Sequence, residues 1–294
     1  MSGRVVIVIT YAELYTEYKD YLVAVAYRML GSVADAEDVV HDLFLNISSR
    51  DWSQVANVRS YLVKSTINRC MNVLQSSIRR RERYIGPWLP EPFVEHIDEL
   101  TDRMIERKED IRYALVVLLH RLSPQERAAY LLKDILGFTY QEVAGMLERT
   151  DSNCRKILSR ARAKLSDISP VTVAHNQEID DLVSLFIHAT RTGRYTSLVD
   201  HLLKDVVLIT DGGGKTKAAM KPIYGADRVM AFLQGVHSKG AYDGEMTRIN
   251  LNGEPGIRLS RNGRIILTIS FQLAASKHIS HIYIVMNPEK LLKV

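Results

Sequence analysis

The chain has 294 residues, 46% of them hydrophobic and 25% charged, with a formal net charge of +5. That content supports folded cores for two or three small domains and excludes a disordered tail. The basic balance favours an anionic partner, the more so because cations cluster at 79–83 and 155–164. No stretch reaches the roughly 20 apolar residues of a membrane span. The opening VVIVIT at Val5–Thr10 is too short for one and lacks the layout of a signal peptide. The two cysteines, Cys70 and Cys154, have no metal-ligand spacing and fit a reducing compartment; neither a metal nor a cofactor is expected.

Taken in chain order, the first informative segment is DAEDVVHD. Asp35, Glu37, Asp38 and Asp42 fall in the first turns of a helix whose apolar positions Val39, Val40, Leu43 and Phe44 supply a buried face. Acids near a helix N-terminus are favoured by its dipole, which by itself accounts for one or two of them. A second helix is predicted from about Val58 to Arg83. Tyr61, Leu62, Ile67, Met71 and Leu74 read as buried; Lys64, Asn68, Arg69, Asn72, Arg79, Arg80, Arg81 and Arg83 read as a polar, basic face that attracts phosphate without reading sequence. Asn68 and Asn72, four apart, share a face. Before this helix lies the loop DWSQVAN at Asp51–Asn57, where Trp52 is suited equally to stacking on a nucleotide and to plugging the core. After it, GPWLPEP at Gly86–Pro92 breaks any helix and predicts an extended, stiff connector, in which Trp88 offers large apolar area for packing on a neighbouring domain.

Residues Leu122–Leu165 carry a helix-turn-helix pattern. The first helix spans about Tyr140–Leu147 and packs through Val143, Ala144 and Leu147; Glu148–Asp151 form the turn, with Thr150 or Asp151 as N-cap. In the second helix Cys154, Ile157, Leu158, Ala161 and Leu165 make one buried stripe. Ser152, Arg155, Lys156, Ser159 and Ala163 face away from it, flanked by Asn153 and Arg160. That is a face small enough for a major groove and carrying cations, as a recognition helix requires.

Beyond Pro170 the pattern becomes mixed. Helices are predicted at about Glu178–Thr192, Tyr195–Leu202 and Ala226–Lys239, and strands at Asp205–Thr210, Thr247–Leu251, Ile257–Ser260, Ile265–Gln272 and Ile279–Met286. Asn262-Gly263 is a hairpin turn signal. Helices followed by a curved antiparallel sheet make an α+β domain. GGGKT is not a phosphate-binding loop, because the glycine needed five residues before Gly214 is Ile209. Three glycines after a strand predict a tight turn of positive φ.

The segment Tyr21–Arg83 resembles the second conserved region of extracytoplasmic-function sigma factors, and residues 122–165 resemble their fourth. The two motif blocks stand in the family's order and at its usual separation. WLPEP, the DGGGK at Asp211–Lys215 and the NPEKL at Asn287–Leu291 resemble signatures of the subgroup with a C-terminal extension, whose fold is SnoaL-like. The resemblance implies a multidomain architecture: a helical region 2 domain over 1–85, a linker over 86–108, an all-α region 4 helix-turn-helix domain over 109–169, and an α+β SnoaL-like cone over 170–294. It also implies a sigma factor acting in bacterial cytoplasm, with core RNA polymerase and promoter DNA as partners. Asp38, His41 and Asp42 then contact polymerase, with His41 standing where the family usually has glutamine. Asn68 and Asn72 wedge open the minus-ten element, helped by Trp52, Arg79 and Arg80. Ser152, Asn153, Arg155, Lys156, Ser159 and Arg160 read the minus-thirty-five element. Trp88, Asp211, Gly213, Lys215, Asn287 and Pro288 form the regulatory contact between extension and sigma domains.

Two other readings stay open on the residues. One is a stand-alone helix-turn-helix regulator. The other is a SnoaL-like enzyme or small-molecule sensor tethered to a DNA-binding module, for which Asp211, His237, His278 and His281 are the available acid-base groups. His278 and His281 have no evident carboxylate partner, so no catalytic residue is assigned.

Overall fold

The computed structural model describes residues 10–52, 55–81, 84–94, 112–166 and 176–294. The apolar opening run, Arg83 and the connector after Val94 lie outside them, as do the side chains of Arg79, Arg80 and Arg81. Contacts divide the chain into two compact units. One comprises residues 1–79 with 119–165, the other residues 80–118 with 166–294.

In the first unit, α1 (Tyr11–Leu30) starts at a Thr10–Glu13 capping box and stops at Gly31, whose φ of 68° ends the helix. Ser32 caps α2 (Val33–Ile47) by accepting from the Asp35 N–H at 3.2 Å. The buried face of α2 is the predicted one, Val39, Val40, Leu43 and Phe44, extended by Val33, Ala36 and Ile47. Helix α3 (Val58–Arg81) buries Leu62, Val63, Thr66, Ile67, Cys70 and Leu74. Tyr61 and Met71, expected inside, are half-buried because they flank this stripe rather than centre it.

Helix α4 (Tyr113–Leu119) is followed by α5 (Pro124–Tyr130), which runs into a π-helical turn at Leu131–Ile135. The buried Arg127 guanidinium donates to the carbonyls of Leu119 at 2.9 Å and Leu122 at 3.2 Å, and also to that of Met29. Leu119 and Met29 lie in the last turns of α4 and α1, where carbonyls lack intrahelical partners. One cation thereby closes two helix ends. Burial pushes the Glu126 carboxyl up, but its bonds with Lys164 and Ser123 outweigh this and hold it below the usual carboxylate value. Its contribution is therefore complete above the ordinary glutamate pKa and is lost as pH falls through the lower folded value. Glu126→Gln should flatten the acid limb of the melting temperature against pH in that window, and an unchanged limb would show that the pair contributes nothing. Helices α6 (Tyr140–Leu147) and α7 (Asp151–Ser166) complete the unit.

The second unit contains α8 (Asn176–Thr192), α9 (Thr196–Val199) and α10 (Ala226–His237) with a six-stranded sheet. Its strands are β1 (Leu202–Asp211), β2 (Ile223–Tyr224), β3 (Glu245–Leu251), β4 (Glu254–Arg261), β5 (Arg264–Leu273) and β6 (Ile279–Val285), in the order β2-β1-β6-β5-β4-β3. The sheet is mixed, not antiparallel as expected: β6 pairs parallel to β1, with Asp211 opposite Val285. Alternation reveals which side chains share a face but not which strands are neighbours, so this pair was invisible in the pattern. Asn262-Gly263 turns β4 into β5 with φ of 53° and 72°, and Asn252-Gly253 does the same for β3 and β4.

Both faces of the sheet are covered. Val206, Leu208, Ile282, Ile284, Ile269 and Phe271 pack with α8 and α10 in the inner core. On the outer face Ile209, Tyr283 and Val285 pack against Leu89 of the connector and Tyr113, Ala114 and Val117 of α4. Hence the unbroken apolar runs VVLI and IYIV, as expected of strands buried on two sides. The start of α4, read from sequence as part of the helix-turn-helix domain, thus belongs to the unit of the cone.

Candidate functional site

Residues 84–94 cross the outer face of the sheet. At one end Tyr84 donates to Asp211 at 2.6 Å; at the other, Phe93 and Asn252 exchange two bonds of 3.0 and 2.7 Å, and Val94 forms a bridge with Leu251. Crossing from β1 to β3 spans four strand gaps, about 19 Å, within reach of the roughly 33 Å available to ten extended residues. The prolines hold the chain extended, and the Tyr113 hydroxyl fastens its middle by donating to the Pro90 carbonyl at 2.8 Å.

Asp211 is fully buried and accepts four bonds, from the Tyr84 hydroxyl, the Leu89 N–H (2.8 Å), the Gly213 N–H (3.0 Å) and the Lys290 ammonium (2.7 Å). A carboxylate offers about four acceptor sites, so this one is saturated. Lys290, itself buried, also donates to the Leu89 carbonyl and lies over the rings of Trp88 (4.2 Å) and Tyr84 (4.9 Å). Burial, reinforced by the carboxylate of Asp211, pushes the Tyr84 hydroxyl upward, which keeps it protonated as a donor. Asn287 donates to Tyr84 at 3.0 Å and accepts from the Glu289 N–H, capping the 3₁₀ turn that Pro288 opens. Lys215 pairs with Glu289, but both are largely exposed and the pair adds little.

All six residues assigned from sequence to this contact, Trp88, Asp211, Gly213, Lys215, Asn287 and Pro288, therefore cluster within one unit. Tyr84 and Lys290 were missed. Neither carried a signal of its own, because the need for a counter-charge shows only once Asp211 is seen to be buried. Gly213 (φ 59°) and Gly214 (φ 72°) let the connector approach: a Cβ on Gly213 would collide with Asn287, and one on Gly214 would lie 2.8 Å from Ile85. Gly213→Ala should destabilise the second unit by about 1 to 3 kcal/mol, from strain and lost docking together; a denaturation midpoint equal to wild type would contradict this.

The four groups bonded to Asp211, on Tyr84, Leu89, Gly213 and Lys290, include none of the candidate histidines. His281 lies four residues before the partner of Asp211 along β6, about 13 Å away, and His278 Nδ1 bonds the Ser276 carbonyl at 2.8 Å.

In the first unit the helix-turn-helix has the predicted form. Thr150 is the cap of α7, its hydroxyl accepting from the Asn153 N–H at 3.3 Å, and Glu148 (φ 55°) makes the turn. In α6 Val143, Ala144 and Met146 are buried, and Leu147, half-buried, packs as expected against the cluster of Ala129, Ile157 and Leu158. Cys154, Ile157, Leu158 and Ala161 are buried and Leu165, expected in the same stripe, is half-buried near the end of the helix, whereas Ser152, Asn153, Arg155, Lys156, Ser159 and Arg160 form a continuous exposed face. Arg155 is held in place by Asp151 (3.3 Å) and by the Tyr140 ring (4.0 Å). On α3, Asn68, Asn72, Gln75 and Ser76 form an exposed stripe. Trp52 is half-buried, edge-on to Tyr61 at 5.6 Å with Arg50 over both rings, so it plugs the base of the loop while keeping part of its surface open. Asp38, His41, Asp42 and Leu45 share the exposed face of α2, and Asp38 and His41 border a groove of about 390 Å³ completed by Tyr15, Lys19 and Val23.

Helix α6 packs beside α3. Lys64, one turn before Asn68, donates to the Gly145 carbonyl at 3.1 Å and pairs with Glu148 at 3.4 Å, and Arg59 lies over Phe138 at 5.2 Å.

A helix-turn-helix with an exposed basic reading face, a second helical module with an amide stripe, and a SnoaL-like cone define a multidomain DNA-binding transcription protein. Sigma-70 region 2 matches residues 14–84, and Sigma-70 region 4 matches residues 112–165. The extracytoplasmic-function sigma factor SigJ of Mycobacterium tuberculosis is 33% identical over 249 residues, covering 81% of this chain and 77% of that one. Its crystal structure aligns with a TM-score of 0.73 at 28% identity, over 94% of this chain and 97% of that chain. SigG of the same organism is 26% identical, covering 90% of this chain and 78% of the relative. The chain belongs to the extracytoplasmic-function RNA polymerase sigma factors, and its role is promoter recognition.

Proposed function

We propose that this sigma factor binds core RNA polymerase through Asp38, His41 and Asp42 on α2, opens the minus-ten element with Asn68 and Asn72, and reads the minus-thirty-five element with the exposed face of α7. Trp52 and the basic end of α3, with Arg79 and Arg80, support the opened strand. The protein acts where core polymerase and promoter DNA are, in the bacterial cytoplasm, and has no enzymatic activity of its own.

The cone acts in cis, through the connector. The observation that carries this reading is the saturated Asp211, which binds Tyr84, at the end of region 2, and Leu89, in the segment between the two sigma regions. A domain that grips the connector controls how freely regions 2 and 4 separate, and covalent linkage keeps its effective concentration high. Removing everything after Pro170 is then an unclean test, since it strips the sheet from under Leu89 and Tyr113. Substitution of Gly214 or Lys290 in the full chain, followed by in vitro transcription with purified core polymerase, is the sharper one. Altered output with unchanged α3 and α7 supports control in cis; identical output at every promoter refutes it.

The packing of α6 on α3 favours the sigma reading over a stand-alone regulator. Two promoter elements some 25 base pairs apart are separated by about 85 Å at 3.4 Å per pair, whereas Lys64 and Gly145 are in direct contact. The free protein must open before both are engaged, and core polymerase supplies the opening. A gel shift is expected to show promoter binding only with core enzyme present; tight binding without it favours the regulator. A small-molecule ligand of the cone is a further candidate partner.

A further inference from the structure

We propose that Tyr195, His237 and Tyr242 form a binding site inside the cone for the carbonyl or carboxylate oxygen of a small, otherwise apolar molecule. This deepens the reading of the cone as a ligand-responsive domain, and rests on it. The three residues come from separate segments: the turn between α8 and α9, the C-terminal residue of α10, and the loop before β3. Tyr195 is 1% and Tyr242 8% exposed. The Tyr195 Oη, Tyr242 Oη and His237 Nδ1 atoms are all buried without a hydrogen-bond partner among the described residues. Their rings are neighbours, with Tyr195 edge-on to His237 at 5.8 Å and His237 6.4 Å from Tyr242. Gly193, at φ 70°, lets the chain pass close to the imidazole, since a Cβ there would lie 3.3 Å from Nε2.

One stray hydroxyl is tolerable in a core, but three adjacent unpartnered polar groups oppose folding unless something completes them. Burial pushes both phenols upward, and Tyr195 raises Tyr242 further, so both keep their protons. Two retained O–H donors beside an imidazole select an oxygen acceptor carrying partial or full negative charge. The surroundings select an apolar body for the same molecule: Phe186 lies edge-on to Tyr242 at 6.0 Å and 5.7 Å from Phe271. An apolar lining with a few convergent polar groups is the usual composition of a small-molecule site.

The arrangement makes stability and binding move in opposite directions. Tyr195→Phe and Tyr242→Phe each delete an unpartnered hydroxyl and keep the ring, so ligand-free variants should melt about 2 to 4 °C higher than wild type. The full chain should bind benzoate, as carboxylate probe, or cyclohexanone, as neutral carbonyl probe, saturably by titration calorimetry. The Tyr195→Phe/Tyr242→Phe variant should bind the preferred probe at least tenfold more weakly. Which probe binds separates a carboxylate from a ketone or aldehyde ligand. Lower melting temperatures in the phenylalanine variants, binding of neither probe, or binding undiminished in the double variant would overturn the site, as would high-resolution density showing ordered water alone with both probes present. None of these results touches the sigma assignment, which is read separately by transcription with core polymerase.

Discussion

Asp211→Ala is expected to destabilise the second unit by about 3 to 5 kcal/mol, the scale of breaking one side of a buried ion pair. The substitution leaves the ammonium of Lys290 buried without its counter-charge, and strips acceptors from Tyr84, the Leu89 N–H and the Gly213 N–H. Lys290→Met should cost less, because the carboxylate keeps three donors and the methionine stem can still lie against Trp88. Removing both should cost less than the sum, with a coupling of about 0.5 to 3 kcal/mol. Urea denaturation of the four proteins measures this directly. Additive losses, or an Asp211→Ala loss below about 1 kcal/mol, would mean that the connector is not fastened by this pair.

The second large effect separates two steps of initiation. Asn68→Ala with Asn72→Ala removes amides from the exposed stripe of α3 and should leave closed-complex affinity near wild type while impairing strand opening. Arg155→Ala with Lys156→Ala should do the reverse, weakening closed-complex binding. Each specific base contact is worth about 1 to 3 kcal/mol, or roughly 5- to 150-fold. Arg155 is the more sensitive position, since Tyr140 and Asp151 already fix its guanidinium and little entropy is lost on binding. Footprinting with a permanganate probe for unpaired thymine reads opening, and filter binding reads the closed complex. Equal losses in both assays for both pairs would remove the division of labour between α3 and α7.

Much of this organisation was legible in the residues. The buried stripe of α7 and the exposed arc at 152–160 followed from 3.6-residue spacing alone, as did the two faces of α2, because a helix places its side chains by local geometry. The asparagine-glycine turn likewise announced itself. What escaped was non-local. The parallel β1–β6 pair, the packing of Tyr113, Ala114 and Val117 on the sheet, and the contact of Lys64 with Gly145 all join residues far apart in sequence. At the connector, the glycines and prolines marked a turn and a stiff segment, but the turn residues do not say what approaches them. Tyr84 and Lys290 looked like ordinary polar residues until Asp211 proved buried. The Tyr195, His237 and Tyr242 cluster lies further beyond sequence reasoning, since three isolated residues on three segments carry no periodic signal.

The central claim is that α2, α3 and α7 together make an initiation factor under the control of the cone. The most direct measurement is in vitro transcription with purified core RNA polymerase on candidate promoter templates, with and without the full chain. The account predicts a promoter-specific transcript that requires the protein and falls sharply with Asn68→Ala/Asn72→Ala. No transcript from any candidate promoter, or one indifferent to those asparagines, would contradict it.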